Sequence, residues 1–187
     1  IPLRKGKFQM NFFVETSTRT RTSFELAGKH MSADVINASA DSSAMAKKGE
    51  TLMDTVRTFN SMAMDIIVMR HYCSGASEMI AREIKCPTIN AGDGWHEHPT
   101  QALLDLYTIY EAKGRIKGLD VVIVGDILHS RVAGSLIRGL KKMGANVKIS
   151  GPPTLIPYGL EKAFGVKVYY NLEEAMKNVD VVYALRV

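Results

Sequence analysis

The chain has 187 residues, 46% of them hydrophobic and 23% charged, and a formal net charge of +5. This is the composition of an ordinary soluble globular protein, long enough for one large domain or two small ones with a real core. It excludes a membrane-spanning helix, since no apolar run approaches that length, and it carries no nucleic-acid footprint, since the lysines and arginines are scattered without a basic block or interleaved aromatics.

In chain order, short apolar or β-branched runs alternate with helical patterns. Strands are predicted at residues 7–14, 33–38, 65–69, 88–90, 120–125, 147–150, 166–169 and 179–185. Phe24, Ala27 and Met31 share one helical face, as do Leu52, Val56 and Phe59, and two further helical stretches cover residues 103–110 and 132–143. The alternation implies parallel sheets joined by right-handed crossovers. Several strands are apolar on both faces, as sheets covered by helices require. The glycine-bounded polar stretch Gly114–Gly118 marks the expected boundary, dividing the chain into residues 1–113 and 114–187. The fold expected is therefore α/β, with two parallel-sheet domains and a cleft between them, and ligands collecting beyond the carboxyl ends of the strands.

Cys73 and Cys86 have neither CxxC spacing nor a disulfide framework, and no signal peptide is present, so a cytoplasmic location is expected. Ile1 is not an initiator methionine, and Val187 falls just where a strand should deliver its loop. The sequence reads as a piece of a longer chain with both terminal segments missing.

The unusual residues gather at the predicted strand ends. In "FFVETSTRTR", residues 12–21, an apolar strand gives way to Ser17, Thr18, Arg19, Thr20 and Arg21 at a helix start. Unpaired N–H groups and partial positive charge at such a start suit a phosphate, hydroxyls add donors, and a guanidinium grips oxygens bidentately. Plain hydroxyl capping is an equal reading of this stretch alone, and Thr22-x-x-Glu25 is a capping box that could start the helix later. "MRH" repeats the arrangement, with Arg70 ending an apolar strand. Lys47 and Lys48 precede a glycine in "AKKGET", without Walker spacing.

"GDGWHEHPTQ" sets Pro99 in the first turn of a helix, with His98 at its cap and Gln101 inside that turn. A histidine there tends to stay neutral and can donate to a carbonyl oxygen gaining charge; the plainer reading is a loop histidine bonded to backbone. His96-x-His98 offers no third ligand at useful spacing, so no metal is expected. In "VGDILHSRVAG", Asp126, His129 and Ser130 contain the letters of a triad, but neighbours on one loop seldom form its geometry. Arg131 at a helix start is disfavoured by the dipole unless a bound carboxylate offsets it. Arg186 ends the last strand in the same way.

Together, "STRTR", "KKGET", "MRH", "NAGDG…HPTQ", "VGD…HSRVA" and "ALRV" occur in an order that closely resembles the aspartate/ornithine carbamoyltransferase family, over essentially the whole chain. The resemblance implies a carbamoyl phosphate domain followed by a Rossmann-like aspartate domain. It implies transfer of the carbamoyl group of carbamoyl phosphate to the amine of L-aspartate, in pyrimidine biosynthesis and without a cofactor. Ser17, Thr18, Arg19, Thr20 and Arg70 would bind the phosphate, His98 and Thr20 would polarise the carbamoyl oxygen, and Gln101 would hold the carbamoyl amide. Arg131 and Arg186 would take the carboxylates of aspartate. Lys48 would enter a neighbouring subunit's site within a homotrimer, and a regulatory subunit is admitted as a further partner. Three positions depart from the family pattern: Thr16 stands in place of proline, Ala44 in place of a loop serine, and Gly134 in place of an arginine. The rival readings are ornithine as the amine and a non-catalytic anion-binding protein on the same fold.

Overall fold

The FQMNFF run of β1 (Phe8–Phe13) is buried from Gln9 onward, which only a strand covered on both faces can be. The structure is a computed structural model and describes residues 2–39 and 49–185. The chain forms two compact units, Ile1–Gly94 and Trp95–Val187.

In the first unit β1 lies at the centre of a four-stranded parallel sheet, between β2 (Asp34–Ser39) and β3 (Ile66–His71), with β4 (Thr88–Asp93) beyond β3. Helices α1 (Arg19–His30), α2 (Leu52–Ser61) and α3 (Ala76–Glu83) connect the strands. Met10, Phe12, Val56, Ile67, Met69 and Ile80 form the larger core, while Phe13, Val68 and Ala91 pack with Phe24 in a smaller one. The predicted α2 face turns inward, with Phe59 meeting Phe12 edge-on at 5.2 Å between ring centroids.

The α1 face differs from expectation. Phe24 is half-buried and Ala27 is exposed, whereas Gly28 is buried. A Cβ at Gly28 would stand 2.6 Å from Val35 Cγ2 and 2.7 Å from Gln9 Oε1, so the missing side chain is what lets α1 approach β1 and β2. The approach is cemented by polar groups that hydrophobic periodicity does not register. Gln9 Nε2 donates to Asn11 Oδ1 and to the Phe24 carbonyl, Asn11 Nδ2 to Asn37 Oδ1, and Asn37 Nδ2 to Glu25 Oε2. Asn11 is wholly buried. Asn11→Ala should therefore take one of two acceptors from the Gln9 amide and the donor from Asn37 Oδ1, and destabilise the protein by about 2 kcal/mol, read as a lower denaturant midpoint at unchanged slope; an unmoved midpoint would show the ladder to be dispensable.

The second unit is also a four-stranded parallel sheet, in the order β7 (Lys167–Tyr169), β6 (Asn146–Ser150), β5 (Asp120–Val124), β8 (Val181–Ala184). Its helices are α4 (Pro99–Lys113), α5 (Arg131–Lys142) and the short α6 (Leu160–Phe164) and α7 (Leu172–Ala175). Leu106, Val121, Ile123, Leu136, Leu140 and Ile149 are among its core residues. All eight predicted strands are present. Helix α3 had not been predicted, and neither had the one-turn helices α6 and α7. The packing boundary precedes α4, because α4 packs against α5. The boundary expected from sequence, between residues 113 and 114, lies at the other end of that helix.

Candidate active site

Parallel register sets the first group of residues. Phe13 pairs with Arg70, and the Val14 N–H donates to the Arg70 carbonyl at 2.9 Å, so the end of β3 lies beside the β1–α1 turn. Arg70 is only 14% exposed; its Nη2 donates to Glu15 Oε1 at 2.8 Å, and its Nη1 reaches Thr20 Oγ1 at 3.5 Å. Its Nε is buried and finds no hydrogen-bond partner among the described residues. A buried donor without an acceptor is costly unless something supplies one.

The helix start beside it is equally short of acceptors. Helix α1 begins at Arg19, with its first turn closed by Thr22 N–H on the Thr18 carbonyl. The Thr22-x-x-Glu25 box is thus not used: Glu25 bonds Lys29 and Asn37 instead, and these bonds, with the charges of Lys29 and Arg21, outweigh the opposing effect of burial and hold its carboxyl below the ordinary carboxylate range. No side chain caps the helix at Thr18, and its first turn holds no acidic residue. Ser17 and Thr20 are half-buried, Thr18 and Arg19 exposed. The first-turn N–H groups and the hydroxyls of Ser17, Thr18 and Thr20 thus lie at the helix start that Arg70 reaches through Thr20, an arrangement whose chemistry suits an anion.

The turn after β3 is held from β4. Asp93 accepts from the Gly75 N–H at 2.7 Å and from Asn90 Nδ2 at 2.9 Å. His71 Nδ1 accepts from the Cys73 N–H at 2.9 Å, and burial, opposed in part by Glu15, pushes the His71 pKa down. Sequence reasoning singled out neither Glu15 nor Asp93, since single carboxylates next to a motif carry no periodic signal.

In the second unit His98 caps α4. It is 5% exposed, its Nδ1 accepts from the Gln101 N–H at 3.4 Å, and its own N–H donates to Ser135 Oγ at 2.9 Å. With Nδ1 in the accepting role, Nε2 is the ring nitrogen left to carry a proton. Ser135 donates to Glu97, which also pairs with Arg138, so the residue before the cap is tied to α5. An added Cβ at Gly134 would stand 3.1 Å from the His96 carbonyl, a physical reason for glycine at that departure from the pattern. Gln101 Nε2 donates to Asp105 Oδ1 at 3.0 Å, and Tyr183 OH donates to Asp105 Oδ2 at 2.9 Å.

Arg131 is the first residue of α5, capped by Ser130, whose hydroxyl accepts from the Ala133 N–H at 3.2 Å. That use of Ser130, with His129 paired to Asp126 at 2.8 Å, disposes of the triad letters. Burial opposes, but the His129 bonds more than offset it, and the Asp126 pKa is lowered. Lys48 and Arg186, with Ala44, lie outside the described residues. Among the described residues no cluster of three His, Cys, Asp or Glu side chains suits a metal, and no helix is long and apolar enough to cross a membrane.

Two family models match the chain: "Aspartate/ornithine carbamoyltransferase, carbamoyl-P binding domain" over residues 1–111, and "Aspartate/ornithine carbamoyltransferase, Asp/Orn binding domain" over residues 117–187. The aspartate carbamoyltransferase catalytic subunit of Desulforamulus reducens is 57% identical over 186 residues, covering the whole chain and 59% of the relative. That of Natranaerobius thermophilus is 54% identical with the same coverage. The chain thus spans about three-fifths of the length of the relatives it matches. Among solved structures, aspartate transcarbamoylase from Trypanosoma cruzi in complex with carbamoyl phosphate and aspartate superposes with a TM-score of 0.88 at 33% identity, covering all of this chain and 66% of that one.

Proposed function

This chain belongs to the aspartate/ornithine carbamoyltransferase family, and we propose that within its full-length protein it transfers the carbamoyl group of carbamoyl phosphate to L-aspartate, giving N-carbamoyl-L-aspartate and phosphate. One observation supports the reading: Arg70, whose buried Nε has no partner among the described residues, reaches Thr20 in the first turn of α1, where Thr18 makes no side-chain cap. Residues 1–113 are assigned to carbamoyl phosphate and residues 114–187 to aspartate.

In this reading Ser17, Thr18, Arg19, Thr20 and Arg70 hold the phosphate. The aspartate amine attacks the carbamoyl carbon; a C–N bond forms, the C–O bond to phosphate breaks, and the amine's proton leaves with phosphate or solvent. Carbamoyl phosphate is already activated, so the protein's task is alignment of two substrates and stabilisation of developing charge. The roles assigned to His98, through Nε2–H, and to Thr20, through its hydroxyl, are donation to the carbonyl oxygen as it becomes an oxyanion, and that of Gln101 is to accept from the carbamoyl NH₂. Arg131 and Arg186 bind the two carboxylates, with Lys48 supplied across a subunit boundary. The product places the reaction in pyrimidine biosynthesis, the chain works as a cytoplasmic homotrimer, and a regulatory subunit is a further partner.

The full-length protein should release phosphate only when carbamoyl phosphate and L-aspartate are both present, and absence of N-carbamoyl-L-aspartate overturns the reading. Site sharing has its own test. Lys48→Ala and Arg19→Ala chains, each inactive alone, should regain activity when mixed and allowed to reassemble, because some sites then draw an intact residue from each parent. Verified mixed trimers without recovery would place Lys48 within its own chain's site or outside catalysis.

A further inference from the structure

We infer that Asp105, a residue to which none of the motifs points, is the positioning residue that sets which end of the Gln101 amide meets substrate. The inference rests on the carbamoyl phosphate reading above and deepens it.

A glutamine side chain has two ends of similar size and opposite hydrogen-bonding character. The NH₂ of a carbamoyl group can only donate, so a glutamine recognises it only through Oε1; turned over, it presents N–H against N–H. Nothing in Gln101 itself decides the orientation. Asp105 does, because an ionised carboxylate only accepts: its Oδ1, 3.0 Å from Gln101 Nε2, holds the nitrogen end and leaves Oε1 for another donor. The two residues stand one turn apart on α4, at positions i and i+4, so the helix brings them together.

Asp105 is itself held. Tyr183 on β8 donates its hydroxyl to Oδ2 at 2.9 Å. Burial, and then Asp105, push the Tyr183 pKa far above the ordinary phenol range, so the hydroxyl keeps its proton and stays a donor. With one oxygen on each partner, the carboxylate cannot rotate to serve Gln101 otherwise without leaving Tyr183 unpaired in a half-buried site. The chain Tyr183–Asp105–Gln101 thus runs from β8 to the first turn of α4.

The test is a double-mutant cycle in the full-length protein, read as kcat/KM for carbamoyl phosphate. Gln101→Ala should lower it by about a hundredfold and Asp105→Ala by about tenfold, the scale of one polar contact to substrate and of its misorientation. In the Gln101→Ala background, Asp105→Ala should cost less than about twofold, because the group it positions is gone. Tyr183→Phe, which removes one hydroxyl and leaves the fold least disturbed, should cost about threefold in the wild type and nothing in that background. A second readout is competition by acetyl phosphate, which carries a methyl group where the substrate has NH₂: Asp105→Ala should weaken carbamoyl phosphate but not acetyl phosphate. Losses that multiply in the cycle, or equal weakening of both phosphates, overturn the positioning role while leaving the reaction standing. A Gln101→Ala enzyme with wild-type activity would overturn the positioning role together with the Gln101 contact to the carbamoyl group, and would likewise leave the reaction standing.

Discussion

Arg19→Ala should lower kcat/KM for carbamoyl phosphate by about a thousandfold or more, while leaving the unliganded protein as stable as before or slightly more so. The opposite signs follow from where the residue sits. Arg19 opens α1, is exposed, and has no acidic partner in the first turn. A cation there opposes the helix dipole at a cost of roughly 0.3–1 kcal/mol, and alanine is the better helix former. Stability alone therefore gives no reason for this arginine. A bound dianion reverses the balance, because the same guanidinium then makes charge-assisted bonds in a site shared with Arg70, and losing such a donor from a transition-state site costs about 3–4 kcal/mol or more. Inorganic phosphate separates the two states directly. It should raise the melting temperature of the wild type by mass action and fail to raise that of Arg19→Ala. Wild-type turnover and an undiminished phosphate shift in the variant would remove the cradle. Arg70→Ala is the less clean probe, since it also strips Glu15 of its 2.8 Å partner and would lower stability and activity together.

The contrast between these arginines shows what the sequence carries and what it does not. Strand and helix periodicity located all eight strands, because each is a short apolar run bounded by turn residues. It missed α3, an eight-residue helix whose buried positions are only Ala76, Ser77 and Ile80, too short a stripe to set a period, and it misjudged the contact face of α1, where a glycine and a polar ladder replace the hydrophobic stripe. Motif residues were legible because strand ends, helix starts and hydroxyl–arginine clusters have local meaning. Their partners were not. Glu15 and Asp105 act only once parallel register and helix turns bring them to Arg70 and Gln101, and Tyr183 meets Asp105 across 78 positions of chain. Nor could spacing decide between a phosphate cradle and a capped helix; the absence of a side-chain cap at Thr18, with an Arg70 Nε that is buried and unpaired among the described residues, favours the cradle.

The second large effect concerns the amine. L-Aspartate should be turned over at least about 10⁴-fold more efficiently than L-ornithine, with phosphate release followed for each amino acid beside carbamoyl phosphate. Aspartate carries two carboxylates, and holding both away from water requires two cations of bidentate geometry. Arg131 stands at the first position of α5, where Ser130 already satisfies the Ala133 N–H and no acidic residue occupies the first turn. The carboxyl ends of β5 and β8 run side by side, Val124 paired with Ala184 and the Leu185 N–H bonded to the Val124 carbonyl, and Arg186 is the next residue in sequence. Ornithine offers one carboxylate and a side-chain ammonium. Against two guanidinium groups that ammonium meets like charge, while one arginine is left without its anion, and both terms oppose binding. Discrimination on the order of 10⁴ is what a site built around paired polar groups achieves when the ligand lacks one of them. Arg131→Ala and Arg186→Ala should each raise the KM for aspartate by about 10- to 100-fold, the worth of a charge-assisted pair, and leave phosphate-induced stabilisation nearly unchanged. Ornithine turnover equal to aspartate turnover would overturn the assignment of these two arginines, and with it the identity of the amine, while the phosphate cradle would stand on its own measurement.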